Sequence, residues 1–135
     1  MRWLLPLLVL GCSSSSTSSA DEGPKCNIGQ LTGAWHIIYL ETDGMCGPIT
    51  EQTVMMNGQP PGGGDVCKFT KNSVSADKCS TVQEFTCPLA SNTGNQQWTG
   101  TMRTVDETKL QGSYTLQVSG SATCRSTYAI TWTKQ

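Results

Sequence analysis

Seven cysteines in a chain of 135 residues constrain the fold more than any other feature. Cys12 closes a hydrophobic run, Val9-Leu10-Gly11-Cys12, and is followed by Ser13 to Ser16. The other six, Cys26, Cys46, Cys67, Cys79, Cys87 and Cys124, are spread over the rest of the chain. An even set in a short exported domain implies a disulfide framework and hence a small stapled fold. The odd cysteine at the end of the leader points to a separate covalent role.

Residues Met1 to Gly11 offer one positive side chain, Arg2, then an apolar stretch from Trp3 to Leu10 interrupted by Pro6. A helix needs roughly 20 apolar residues to cross a bilayer, so this stretch fits the apolar region of a secretory signal instead. It resembles a bacterial lipoprotein signal, whose lipobox ends in a small residue and the cysteine that becomes the lipidated N-terminus. Gly11 and Cys12 match that motif, whereas Val9 and Leu10 stand where leucine and a small residue are usual. The resemblance implies a signal peptide at 1–11 and a Cys12 that carries acyl chains such as palmitate. Ser13 rather than aspartate after the cysteine implies the outer membrane of the cell envelope. The alternative is an ordinary signal cut later, for instance after Ala20, giving a secreted protein without Cys12. Between Ser13 and Pro24 no apolar residue is larger than Ala20, so 12–25 reads as a flexible, Ser-rich tether.

Residues 26–135 suffice for one domain. Its core is small, and three disulfides, each contributing roughly 2 to 4 kcal/mol, would rival the net stability of such a domain. Lys plus Arg number 9 against 10 Asp plus Glu, and losing Arg2 with the leader leaves 8 against 10. No basic run of the kind that grips phosphate backbones is present, which excludes nucleic acid as an expected partner.

Period-two alternation recurs downstream of Cys26, without apolar residues at helical spacing. Tyr128, Ile130 and Trp132 share one face of the last strand, and Leu110, Gly112, Tyr114, Leu116 and Val118 one face of the strand before it. Ser119-Gly120-Ser121 turns the chain between them. Trp98, Gly100, Met102 and Thr104 alternate upstream, reached through Asn92-Thr93-Gly94-Asn95 and left through Asp106-Glu107-Thr108. Further strands are expected at Thr81 to Cys87, Val66 to Thr70, Ser73 to Ala76, Ile49 to Met56 and Leu31 to Glu41, with Lys71-Asn72 turning the chain between the second and third of these. The strand from Leu31 places Trp35, Ile37 and Tyr39 on one face and His36, Ile38 and Leu40 on the other, so its outer face calls for a cover such as a loop or the N-terminal segment. About eight short strands joined by tight turns make an all-β domain: a small antiparallel β-barrel in meander order, or alternatively a β-sandwich.

Gly33-Ala34-Trp35 resembles the Gly-x-Trp that opens the lipocalin-like barrels. That resemblance implies a Trp35 plugging the closed end beneath a basic side chain from the last strand, here Lys134, with Arg125 at the opposite end. Within such a barrel Cys46 and Cys124 lie at the same end and are expected to pair. Cys67 and Cys79 flank an expected hairpin, which leaves Cys26 with Cys87, one choice among 15 connectivities.

Chemistry-bearing motifs are sparse. The one histidine, His36, is expected as a half-buried, hydrogen-bonded strand residue, and no nucleophile elbow, metalloprotease motif or Cys-x-x-Cys pair occurs. No catalytic residue, metal ligand or cofactor is therefore assigned. Met45, Met55, Met56 and Met102 suit core filling more than a binding surface. The segment Asn57 to Asp65, rich in glycine with paired prolines, is expected to project from the barrel. The sequence thus implies a non-catalytic, lipid-anchored cell-envelope lipoprotein that acts as a binding module for an unknown protein or small molecule, with the membrane as a partner through its anchor. One alternative is an inhibitor of an exported hydrolase acting through the Asn57 to Asp65 loop. Another is a carrier of a small apolar ligand, with Trp98, Tyr114 and Tyr128 lining its cavity. An enzyme would need a hydroxyl or thiol and a carboxylate within reach of His36.

Overall fold

The computed structural model describes residues 26–62 and 66–135. The leader, Cys12, the tether and the loop tip at 63–65 lie outside the described residues. Seven antiparallel strands form one sheet: β1 (Leu31–Gly44), β2 (Gln52–Gln59), β3 (Lys68–Val74), β4 (Ser80–Pro88), β5 (Gly94–Asp106), β6 (Lys109–Gly120) and β7 (Cys124–Lys134). Their spatial order is β2-β1-β7-β6-β5-β4-β3. Sequential neighbours from β3 to β7 pair in turn, after which β1 and β2 extend the sheet beyond β7. The sheet curls into a half-barrel around its apolar face, and its two edges, β2 and β3, share no ladder.

Two expectations about architecture need correction. Among the described residues there is one curled sheet rather than the two of the alternative sandwich, and it has seven strands, open between β2 and β3, rather than about eight closed into a barrel. The expected strands Val66 to Thr70 and Ser73 to Ala76 are a single strand, because Lys71-Asn72 falls beside a bulge between Phe69 and Lys71 and keeps pairing with Glu84 and Gln83. The turn lies five residues later, where the Asp77 carboxylate accepts from Ser75 Oγ at 2.5 Å and from Cys79 N at 3.0 Å. Such local acceptance by an Asp side chain offers the backbone a turn, and Lys78 completes it in the left-handed region at φ 61°.

Alternation places the apolar side chains inside. Trp35 and Ile37 from β1, Phe85 from β4, Trp98 and Met102 from β5, Tyr114 and Leu116 from β6, and Tyr128, Ile130 and Trp132 from β7 are all buried. Tyr114 and Tyr128 are register partners across the β6–β7 hairpin. Outside, Leu40 is 64% exposed, so the cover expected over the outer face of β1 is not supplied by the described residues.

One end of the half-barrel is plugged. Trp35 is buried there with Leu31, Leu110 and Trp132, and its Nε1 donates to Thr32 O at 2.9 Å. Lys134 Nζ lies 6.0 Å from the centre of the Trp35 ring. Gly33 adopts φ 85°, and a Cβ there would touch the Lys134 stem at 3.4 Å. Ile28, 1% exposed, adds to the plug and is held by its N–H on Lys78 O at 3.1 Å.

The disulfides are Cys26–Cys79, Cys46–Cys124 and Cys67–Cys87. Cys46 and Cys124 pair as expected, but the other two pairings are exchanged. Since Cys79 sits in the turn at the plugged end, it meets Cys26 beside Ile28. Cys67 precedes β3 and lies instead beside the far end of β4, where Cys87 is. Three disulfides point to an oxidising, extracytoplasmic environment.

Candidate functional site

Beyond the plug, inward side chains such as Tyr39 and Trp98 meet across the half-barrel, but the space between the strands is not filled. They leave an open-sided cavity of 870 Å³, within the range of about 300 to 1,000 Å³ usual for small-molecule sites. Every strand contributes to its wall, β3 through Phe69 and β2 through residues including Val54 and Met56. Two of the three disulfides, Cys46–Cys124 and Cys67–Cys87, border it at the end away from Trp35.

Trp98 is the hub of the wall. Its ring stacks on Phe85 at 6.2 Å and 16°, and makes tilted contacts with Tyr128 at 5.9 Å and Tyr39 at 6.4 Å. Offset and tilted ring pairs at these separations are favoured by the ring quadrupole. The indole Nε1 donates to Gln96 Oε1 at 3.3 Å. Gly100, two residues on, faces inward opposite Tyr114. A Cβ at Gly100 would come within 2.6 Å of Tyr114 Cγ, so the bare glycine leaves room for the Tyr114 ring.

Several polar groups inside are satisfied locally. Tyr128 Oη donates to Gly47 O at 2.7 Å, fixing the segment after β1. Tyr114 Oη donates to Gln83 Oε1 at 2.5 Å, and burial pushes its phenol well above the ordinary value. Gln83 is 0% exposed, and its Nε2 donates to Pro61 O at 2.6 Å and Asn72 Oδ1 at 3.0 Å. Thus one carboxamide links β3, β4, β6 and the segment after β2. It bridges the seam where Pro60 and Pro61, lacking N–H groups, cannot extend a ladder.

This overturns the projecting loop expected at Asn57 to Asp65, as far as its residues are described. Asn57, Gly58 and Gln59 end β2, Pro61 is buried, and Gly62 packs near Phe85. The methionines divide: Met56 and Met102 are buried inside, whereas Met55 and Met45 are 66% and 89% exposed.

His36 faces outward, half-buried as expected. Its Nδ1 lies 3.1 Å from Thr53 Oγ1 and its Nε2 3.5 Å from Glu51 Oε2. A hydroxyl and a carboxylate are therefore within its reach, but on the outer face of β1 and β2, and none of the three lines the cavity. The contact joins His36 to Thr53, its cross-strand partner.

The structure brings Trp98, Tyr114 and Tyr128 together at one cavity. Sequence reasoning missed Tyr39, Gln52, Gln96 and Phe85 as wall residues and Gln83 as the seam bridge. Parity carried a signal for three of them: Tyr39 shares a face with Trp35 and Ile37, and Gln83 and Phe85 share one with Thr81 and Cys87. Comparison with protein-family profiles, curated proteins and solved structures gives no match to this chain.

Proposed function

We propose that this protein is a non-catalytic carrier or receptor for a small, largely apolar molecule, held in the half-barrel and displayed on a membrane through lipidated Cys12. The observation that supports it is the 870 Å³ cavity with its aromatic wall around Trp98. Apolar concavities with a few placed polar groups are the usual form of a small-molecule site. The Trp35 plug under Lys134 fits a lipocalin-like domain with one closed end, and three disulfides fit an exported one. Placement on the outer membrane rests on the Gly11-Cys12-Ser13 pattern. An inhibitor acting through a protruding loop fits less well, since Pro61 is tucked inside and bound by Gln83. The Thr53, His36 and Glu51 contact lies on an outward sheet face without walls to hold a substrate, so a cross-strand structural role suits it better.

Native mass spectrometry of the full chain extracted from its own membranes tests this reading. A lipid-bearing, fully oxidised protein that retains a small molecule is expected, and solvent stripping should return the bare mass. A bare protein that takes up no apolar compound afterwards would overturn the carrier reading. A mass lacking both the lipid and Cys12 would overturn the anchor.

A further inference from the structure

The cavity wall also restricts the chemistry of its occupant, an inference that rests on the carrier reading. Among the described residues, no aspartate, glutamate, lysine, arginine or histidine lines it. Its polar members are amides and phenols, chiefly Gln52, Gln59, Gln96, Asn57 and Tyr39. A charged group placed here would lose its hydration with no counter-charge to replace it, which costs several kcal/mol even after relaxation.

The polar groups nearest the aromatic hub are not all spent. Tyr39 Oη accepts from Gln52 Nε2 at 3.0 Å, which uses a lone pair and leaves its own O–H without a protein acceptor among the described residues. Burial raises the Tyr39 phenol above its ordinary value, the Gln52 bond opposing this, so the hydroxyl stays protonated and able to donate. Gln96 accepts from Trp98 through Oε1, leaving its amide N–H groups without a protein acceptor among the described residues. Both side chains are immediate neighbours of Trp98.

We propose that the occupant is an uncharged molecule with a flat, ring-bearing body and a hydrogen-bond acceptor, its body against Trp98 and its acceptor toward the Tyr39 hydroxyl and the Gln96 amide. Among the described residues the wall holds no cation, so an ionised amphiphile such as a fatty-acid carboxylate would find no counter-charge for a head group placed inside. The aromatic faces reward a planar ring system, and the two donors give an acceptor its orientation.

The test uses the oxidised full chain and two probes sharing one skeleton, N-phenyl-1-naphthylamine and its sulfonated anion 1-anilinonaphthalene-8-sulfonate, titrated by fluorescence. The neutral probe is expected to bind about tenfold or more tightly, as a desolvation difference above about 1.4 kcal/mol requires. Equal or tighter binding of the anion would overturn the neutral class while leaving the carrier reading intact. Failure of both probes to bind would overturn both. A neutral naphthyl ketone then tests the acceptor: Tyr39→Phe should weaken it about 2- to 10-fold, the worth of one hydrogen bond, and weaken N-phenyl-1-naphthylamine, which brings no carbonyl, by clearly less. Equal weakening of both compounds would refute Tyr39 as the donor.

Discussion

Replacing Gln83 by leucine keeps most of the side-chain volume and removes the carboxamide that spans the seam. Three hydrogen bonds are lost, to Pro61 O, Asn72 Oδ1 and Tyr114 Oη. At a net value of about 0.5 to 1.5 kcal/mol each, the loss is roughly 3 kcal/mol, before any cost of leaving the Tyr114 hydroxyl buried without its acceptor. That is a large part of the stability of a domain this size, about 5 to 15 kcal/mol. Tyr114→Phe removes one of the same bonds and should cost about 1 to 2 kcal/mol. Because the two variants share that bond, the double variant should cost about 1 kcal/mol less than the sum. Urea unfolding of the oxidised protein, followed by tryptophan fluorescence, measures all four corners of the cycle. A cost below about 1 kcal/mol for Gln83→Leu, or strict additivity in the cycle, would refute the role of this network in closing the seam.

The disulfides should differ in worth according to the loops they close. With separations of 78, 53 and 20 residues for Cys46–Cys124, Cys26–Cys79 and Cys67–Cys87, chain entropy predicts losses of roughly 4.5, 4 and 3 kcal/mol on paired replacement by alanine, and the reverse order in unfolding midpoints would contradict this. Alkaline titration should be equally diagnostic. Tyr39 and Tyr114 have phenols raised above their ordinary value by burial, so the stability they contribute is present below about pH 10 and falls as pH rises through their folded values. Ultraviolet difference absorbance should show these phenolates appearing late and together with loss of structure, and their ordinary titration in a folded protein would refute the packing described.

Strand content, parity and the β6–β7 hairpin were legible because two-residue alternation is a local signal. Trp98, Tyr114 and Tyr128 could be placed at a common wall from parity alone, and the geometry brings them to one cavity. Where a strand bends rather than turns was not legible. Lys71-Asn72 is polar enough for a turn, yet the carboxylate of Asp77 makes a better one and the earlier pair is absorbed at a bulge. The exchange of two disulfides follows from that displaced turn. Parity placed Gln83 on the inward face but gave no sign of its bridging role, because a glutamine there acquires meaning only when Pro61, Asn72 and Tyr114 converge on it from distant parts of the chain. The same holds for the uncharged wall, a property of which residues face inward together.

Whether the cavity around Trp98 is where a small molecule sits can be asked directly by nuclear magnetic resonance, titrating the isotopically labelled, oxidised full chain with N-phenyl-1-naphthylamine. The largest shifts are expected at the Trp98 indole N–H and at the amides of Gly100, Tyr114, Leu116 and Tyr128, with contacts between probe protons and those rings. Shifts centred instead on the outer face around Ile38, Leu40 and His36, with the Trp98 indole unmoved, would contradict the account.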